Sequence, residues 1–127
     1  KKVLIILGII ILVIIILVSI AFNKINKNLQ SLEENSISMI DLTSLENGVY
    51  PGAYAAFPVK VKLEVILKNH LIEDINILEH VNGKGKPAED IVKAIIEKQT
   101  IDVDVIAGAT YSSRVIQKAI EVALIKK

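Results

Sequence analysis

The chain has no cysteine among its 127 residues, and it has only two histidines and few aromatic side chains. Without cysteine it forms no disulfides, thiolate metal sites or thiol redox centres, and no lipid is attached through sulfur. The histidines, His70 and His80, lack metal-ligand spacing, so we expect neither a metal site nor a histidine-based catalytic site. The formal net charge of +1 comes without a basic stripe, and we therefore expect no nucleic-acid partner.

A long uncharged run dominates the first part of the sequence. Val3 to Phe22 carries no charged residue, and only Gly8 and Ser19 interrupt its apolar side chains. At about 1.5 Å per residue, such a helix covers roughly 30 Å, the hydrocarbon thickness of a bilayer. The run predicts a transmembrane helix. A cleaved secretory signal ending near Ala21 is the alternative, but the run exceeds the roughly 7–15-residue core of such signals, which favours an uncleaved anchor.

The side of the membrane follows from weaker signals. Lysines flank the apolar run on both sides, Lys1 and Lys2 before it and Lys24 and Lys27 after it, so the positive-inside rule barely decides. A short basic segment before a long exported domain favours an N-in, C-out orientation. We therefore expect a single-pass protein of the cell membrane with its C-terminal domain outside the cytoplasm.

Composition divides the chain into a transmembrane anchor, a polar juxtamembrane linker and a folded domain, at residues 1–22, 23–40 and 41–127. The linker is rich in Asn, Lys, Glu and Ser, and we expect it to be a solvated stalk. Apolar residues recur within it at helical spacing, which would let part of it continue the membrane helix. They are Ile25, Leu29 and Leu32.

Alternating and turn-forming residues predict the sheet of the folded domain. Val59 to Val65 alternates strictly, Asn69-His70 supplies a turn, and Ile72 to Glu79 forms the next strand. Val49 to Phe57 predicts an earlier strand, which Pro51 restricts to an edge of the sheet or to a bulge.

Two helices and one further strand complete the predicted fold. Pro87 begins a helix, Ile101 to Ile106 is rich in β-branched residues, and Val115 to Leu124 is strongly helical. The order βββ-α-β-α indicates an α+β domain with a small, mainly antiparallel sheet and two packed helices, preceded by the transmembrane helix. We expect the last helix to bury Val115, Ile116, Ala119, Ile120 and Ala123.

The junction before the last helix is the most informative stretch: Asp104-Val105-Ile106-Ala107-Gly108-Ala109-Thr110, followed by Tyr111-Ser112-Ser113. Backbone N–H groups at a strand-to-helix turn favour an anion. Gly108 permits a tight turn, and Ala109 keeps bulk away from the approach path. Hydroxyls then lie where a phosphate would sit, on Thr110, Ser112 and Ser113. The alternative is an ordinary helix entry in which one of these three residues is the N-cap.

This stretch resembles the flavin-attachment motif of the small FMN-binding domain family: Asp, two variable residues, Ser or Thr, Gly, Ala, Thr. The family is similar to the covalent-FMN domains of the sodium-pumping quinone reductase and of the Rnf electron-transfer complex. There the final Thr carries FMN through a phosphoester bond, installed from FAD by a magnesium-dependent flavin transferase. The resemblance implies that Thr110 is the attachment residue and that Asp104, Gly108 and Ala109 complete the recognition sequence. Ala107 departs from the pattern, which usually has Ser or Thr there.

Other segments resemble the same family in the same order. Asn47 to Gly52 resembles the opening of such domains, Val61 to His80 their hairpin, and Gly85 to Gln99 the helix before the motif. The resemblance therefore covers about Asp41 to Lys127.

Few side chains are available to flank a flavin ring. We expect Tyr50 or Tyr54 to contact it, with core packing as the alternative for each, and Tyr111 is better placed because it adjoins Thr110. His80 ends a strand before a glycine-rich loop, from which it would reach the flavin edge; the alternative is a solvated strand end.

The resemblance implies a membrane-anchored, extracytoplasmic flavoprotein with covalent FMN that relays electrons between a membrane donor and an external acceptor. Such a protein is an electron carrier rather than an enzyme with its own substrate. Its expected partners are a flavin transferase during maturation, a quinone-linked or other redox partner in the membrane, and the lipid bilayer. Two alternatives remain open, a flavin-free binding or assembly module and an accessory component of a larger membrane redox complex.

Overall fold

One three-stranded sheet and three α-helices form the described part of the chain. The computed structural model describes residues 1–35, 37–83 and 85–125. Short 3-10 helices at Leu42–Ser44 and Lys86–Asp90 lie before β1 and before α2. The main elements, in order, are α1 (Lys2–Glu34), β1 (Gly48–Ala56), β2 (Val59–Lys68), β3 (Leu71–Val81), α2 (Ile91–Lys98) and α3 (Thr110–Ile125).

The sheet is antiparallel, with β2 between β1 and β3. Asn69 and His70 join β2 to β3 with φ angles of 52° and 62°. Two successive positive φ angles are typical of the type I′ turn, whose twist matches that of the strands it joins. Pro51 lies in β1, at the edge of the sheet, where its missing N–H removes no bond to an inner strand. The three predicted strands and the turn are confirmed.

Helix α3 covers the sheet and forms the core with it. The five residues predicted to face inwards are buried. At Gly52 the helix approaches the sheet backbone so closely that an added Cβ would overlap the carbonyl oxygen of Ala119 and lie 2.7 Å from Ala123 Cβ. Ile91 and Ile95 of α2 are also fully buried. The predicted α+β class, with a small antiparallel sheet and packed helices, is confirmed.

The predicted fourth strand is wrong. Within the described residues, no strand is assigned between Ile101 and Ile106, although Ile101 and Val103 are buried and alternate with exposed neighbours. The Gln117 side chain of α3 donates to the carbonyl oxygens of Ile101 and Val103, at 3.0 and 2.9 Å. Side-chain hydrogen bonds therefore replace the ladder that a neighbouring strand would have provided.

Helix α1 is longer than the predicted membrane span. It is long and apolar enough to cross a membrane, and it continues past residue 22 without a break. In its second half Ile25, Asn28 and Leu29 are half-buried and Leu32 is buried against the domain. The expected solvated stalk is wrong for this helical part, because its apolar stripe docks onto the domain. The chain thus has a single N-terminal helix suited to anchor it in a membrane.

Candidate functional site

A tight turn connects the extended segment, residues 101–106, to α3. The N–H of Ala109 donates to the carbonyl of Ile106 at 2.9 Å, and Gly108 has a φ of 77°. A positive φ at the third position is typical of a type II turn and favours glycine. The first helical bond runs from the Ser113 N–H to the Ala109 carbonyl at 2.9 Å. Ala109 therefore holds the N-cap position, and the alternative that Thr110, Ser112 or Ser113 is the N-cap is wrong.

The hydroxyl of Ser113 braces this turn. It donates to the Ala109 carbonyl at 2.8 Å and accepts from the Ile106 N–H at 3.1 Å, and the residue is fully buried. Both ends of the turn are thereby fixed to the first turn of α3. Ser113 was predicted to meet a phosphate, but the structure uses its hydroxyl inside the turn.

An open groove of about 250 Å³ lies beside the start of α3. Thr110, half-buried, is on its rim. The N–H groups of Thr110, Tyr111 and Ser112 have no acceptor among the residues that the structure describes, so the helix start offers donors to an anion. A Cβ on Gly85 would overlap Ser112 Oγ, which shows how closely the loop after β3 approaches the helix. The lining residues are Ile25, Pro58, Val59, Asn82, Gly85, Gly108, Ala109, Thr110, Tyr111 and Ser112.

Tyr111 ties the start of α3 to the tip between β1 and β2. Its hydroxyl donates to the carbonyl of Phe57 at 2.7 Å. Burial raises the pKa of Tyr111, which keeps this hydroxyl protonated and able to donate. Tyr54 lines a neighbouring cavity of about 290 Å³ together with Asn28 and Phe57. Tyr54 and Tyr111 therefore lie on the same side of the domain, near the groove.

One wall of the groove comes from α1. Ile25 lines the groove, Asn28 Nδ2 donates to the Phe57 carbonyl at 3.4 Å, and Lys24 Nζ lies 5.6 Å from the centre of the Phe57 ring. The sequence predicts no site residue in this helix. The helical spacing of Ile25, Leu29 and Leu32 indicates that the segment is a helix, but it does not indicate the surface on which that helix docks.

Two predicted flavin contacts are not brought to the groove. Tyr50 lies seven positions before Phe57 on an extended strand, about 24 Å away, and its hydroxyl donates to the Glu46 carbonyl at 2.8 Å. The ring of His80 is buried, with Nδ1 3.0 Å from Oε1 of Glu89, and Nε2 has no partner among the described residues. Burial opposes ionisation of Glu89, but hydrogen bonds from Lys86 and His80 outweigh it and lower its pKa. His80 is therefore a paired, buried histidine rather than a solvated strand end.

The residues before the glycine are accessible. Asp104, Ala107 and Gly108 are exposed, and Asp102 is exposed on the same face as Asp104. The segment thus presents the carboxylate of Asp104 and the backbone at Ala107 and Gly108 to solvent, next to the Thr110 groove. A second protein can reach this stretch without unfolding the domain.

Comparison with known families agrees with this architecture. The FMN-binding domain family matches residues 56–125, which is more than half of the chain and runs from the end of β1 to the end of α3. No curated protein matches the chain significantly. The chain belongs to the FMN-binding domain family, and the predicted resemblance is confirmed.

Proposed function

We propose that this member of the FMN-binding domain family carries FMN as a phosphoester on Thr110. The observation that carries the proposal is the position of this threonine, the first residue of α3, half-buried on the rim of an open groove directly after the Gly108 turn. Unpaired N–H groups at the same helix start favour a phosphate there. Family membership supports FMN as the ligand.

The attachment would transfer the FMN half of FAD to the Thr110 oxygen. A bond forms between that oxygen and the flavin-side phosphorus, the bond between the two phosphates breaks, AMP leaves, and the hydroxyl proton is released. A magnesium-dependent flavin transferase would catalyse this step. The exposure of Asp104, Ala107 and Gly108 supports recognition of the segment by such an enzyme, because all three are reachable from solvent.

The role that fits this site is electron transfer. A bound flavin supplies reversible electron transfer, and the protein holds and orients it. Among the described residues that line the groove there is no Asp, Glu, His or Lys, so nothing in that lining resembles an acid–base pair for a substrate of its own. We therefore propose an electron carrier, with α1 confining it near a quinone-linked or other redox partner in the bilayer.

We propose that the domain lies outside the cytoplasm. A covalent bond is advantageous there, because a dissociable cofactor is lost by mass action where free flavin is dilute. Lysines flank the apolar run on both sides, Lys1 and Lys2 before it and Lys24 and Lys27 after it, so the proposal rests on the flavin argument and not on the positive-inside rule.

The experiment is coexpression of the full chain with a flavin transferase and magnesium, followed by denaturation, washing and in-gel flavin fluorescence. We expect a fluorescent band in the parent and in Thr100→Ala, and none in Thr110→Ala. Thr100 is a matched control because it is another threonine in the same tryptic peptide, 99–114. Far-UV circular dichroism checks that both variants fold. A parent without flavin would instead favour a flavin-free binding module, and copurification from native membranes tests for an accessory component of a larger complex.

A further inference from the structure

An exposed aromatic side chain marks the tip between β1 and β2. Phe57 is 55% exposed although it contacts α1, and Pro58 follows it before β2 begins. We propose that this tip, Phe57 and Pro58, is a second membrane contact that inserts into the lipid headgroup layer beside α1. The proposal concerns the bilayer and does not depend on whether Thr110 carries FMN.

The contacts with α1 fix the height of the tip. The Phe57 ring lies under Lys24 Nζ, with 5.6 Å to the ring centre, and its carbonyl accepts from Asn28. Lys24 is two residues and Asn28 six residues beyond Phe22, the end of the apolar run. At about 1.5 Å per residue these positions lie roughly 3 and 9 Å above that end. Each headgroup layer is roughly 5–8 Å thick, so the tip falls at its level.

The chemistry of the tip suits a layer with little free water. The Phe57 carbonyl accepts hydrogen bonds from Tyr111 at 2.7 Å and from Asn28 at 3.4 Å, and Pro58 has no N–H to satisfy. Entry into the interface therefore costs few hydrogen bonds to water. Apolar side chains, Phe among them, enter the headgroup–acyl boundary from the buried face of interfacial helices, and a lysine keeps its charge among the phosphates while its stem covers apolar surface.

The rest of the sheet leads away from the bilayer. Tyr54 and Ala55 line a cavity with Ser31 and Leu32, about two helical turns farther along α1 than Lys24. From the tip towards its first residue, strand β1 therefore runs alongside α1 and away from the apolar part of that helix. The occupant of the tip surface is the bilayer, because α1 crosses it and holds the tip at its edge.

One consequence concerns the Thr110 groove. Pro58 and Ile25 line that groove, so the groove begins where the tip ends. A tip in the headgroup layer places the groove at the membrane surface. A group held there would exchange electrons with a lipid-soluble partner across a short distance, if the proposed function holds.

The absence of tryptophan from the chain allows a direct test. We would introduce one tryptophan, as Phe57→Trp or, as a matched control, as Val49→Trp. Val49 is 57% exposed on the same strand and eight residues, about 27 Å, from the tip. Each full-length variant, expressed without a flavin transferase, is reconstituted into phosphatidylcholine vesicles containing lipids brominated near the headgroup or deep in the acyl chains.

We expect Phe57→Trp to be quenched several-fold more strongly than Val49→Trp, with the shallow bromines more effective than the deep ones. Its emission should also lie to the blue of the control. Equal quenching of the two variants would overturn the proposal. So would a blue-shifted Phe57→Trp emission that no brominated lipid quenches, because protein rather than lipid would then cover the tip. Phe57 is exposed and contributes its bonds through the backbone, so both variants are expected to fold, which far-UV circular dichroism verifies.

Discussion

Gln117 holds the segment that leads to the Gly108 turn, and its replacement by leucine tests that role. The side chain is fully buried, and Nε2 donates to the carbonyls of Ile101 and Val103 at 3.0 and 2.9 Å. Gln117→Leu keeps most of the volume and removes both donors. The Ile101 carbonyl keeps a bond from the Val103 N–H at 2.9 Å, so of these two acceptors only the carbonyl of buried Val103 loses its partner among the described residues.

The expected loss can be worked out from the one acceptor that is left without a partner. Leaving a buried acceptor unsatisfied costs about 1–3 kcal/mol, which is the expected loss for Gln117→Leu. A small domain has a total stability of roughly 5–10 kcal/mol, so the variant still folds. The melting temperature should fall by roughly 5–20 °C.

The assay combines thermal unfolding with the rate of FMN incorporation by a flavin transferase at a temperature where the variants are folded. Gln99→Leu is the matched control. Gln99 Nε2 also donates to two carbonyls, of Ile72 and Ile96 at 2.9 and 2.6 Å, and its Oε1 accepts from the Ile72 N–H at 2.7 Å, but all three bonds lie away from the turn. We expect both variants to lose stability and only Gln117→Leu to incorporate FMN slowly. A Gln117→Leu protein within about 0.5 kcal/mol of the parent, or equal slowing in both variants, would refute the reasoning.

Three further predictions concern packing and charge. Glu121 accepts from Lys118 and from the Ser38 N–H at 2.6 and 2.7 Å. Glu121→Gln should therefore lower the free energy of unfolding, measured in urea, by about 3 kcal/mol. Glu73 lies in an exposed ion pair, so Glu73→Gln should lower it by less than about 1 kcal/mol. Burial opposes ionisation of Glu121, but these two bonds outweigh it and lower its pKa below 4.5. The stabilisation that Glu121 contributes is therefore present above pH 4.5 and is lost as the pH falls through the folded-state pKa. Acid titration of the melting temperature, in the parent and in Glu121→Gln, measures this loss. Gly52→Ala should lower stability by about 1–3 kcal/mol through overlap with α3, and an equal loss in Gly48→Ala, whose Cβ would lie 3.8 Å from its nearest neighbour, would contradict this reason.

The strands and the last helix could be predicted because local patterns determine them. Strict alternation from Val59 onwards gives a half-buried strand, and Asn69-His70 accepts the positive φ angles that a two-residue hairpin requires. The five predicted apolar positions of α3 recur with the helical period and are buried. The tight turn before α3 was also predictable, because Gly108, which it requires, lies within the turn itself.

The errors arose where distant residues decide the structure. Ile101 to Ile106 has strand composition, but Gln117 provides its hydrogen bonds from another element, so no ladder forms. The linker helix is polar enough to be a stalk, yet Leu32 is buried once the domain packs against it. His80 meets Glu89 only because the loop after β3 folds back. Neither periodicity nor turn chemistry reports such contacts.

The central claim is that Thr110 bears the flavin, and peptide mass spectrometry tests it most directly. Trypsin should release peptide 99–114, which contains Thr100 and Thr110 together with Tyr111, Ser112 and Ser113. We predict that this peptide, from protein coexpressed with a flavin transferase, gains the mass of FMN less one water and that fragment ions assign the gain to Thr110. A peptide of unmodified mass, or a gain assigned to any other residue, would contradict the account.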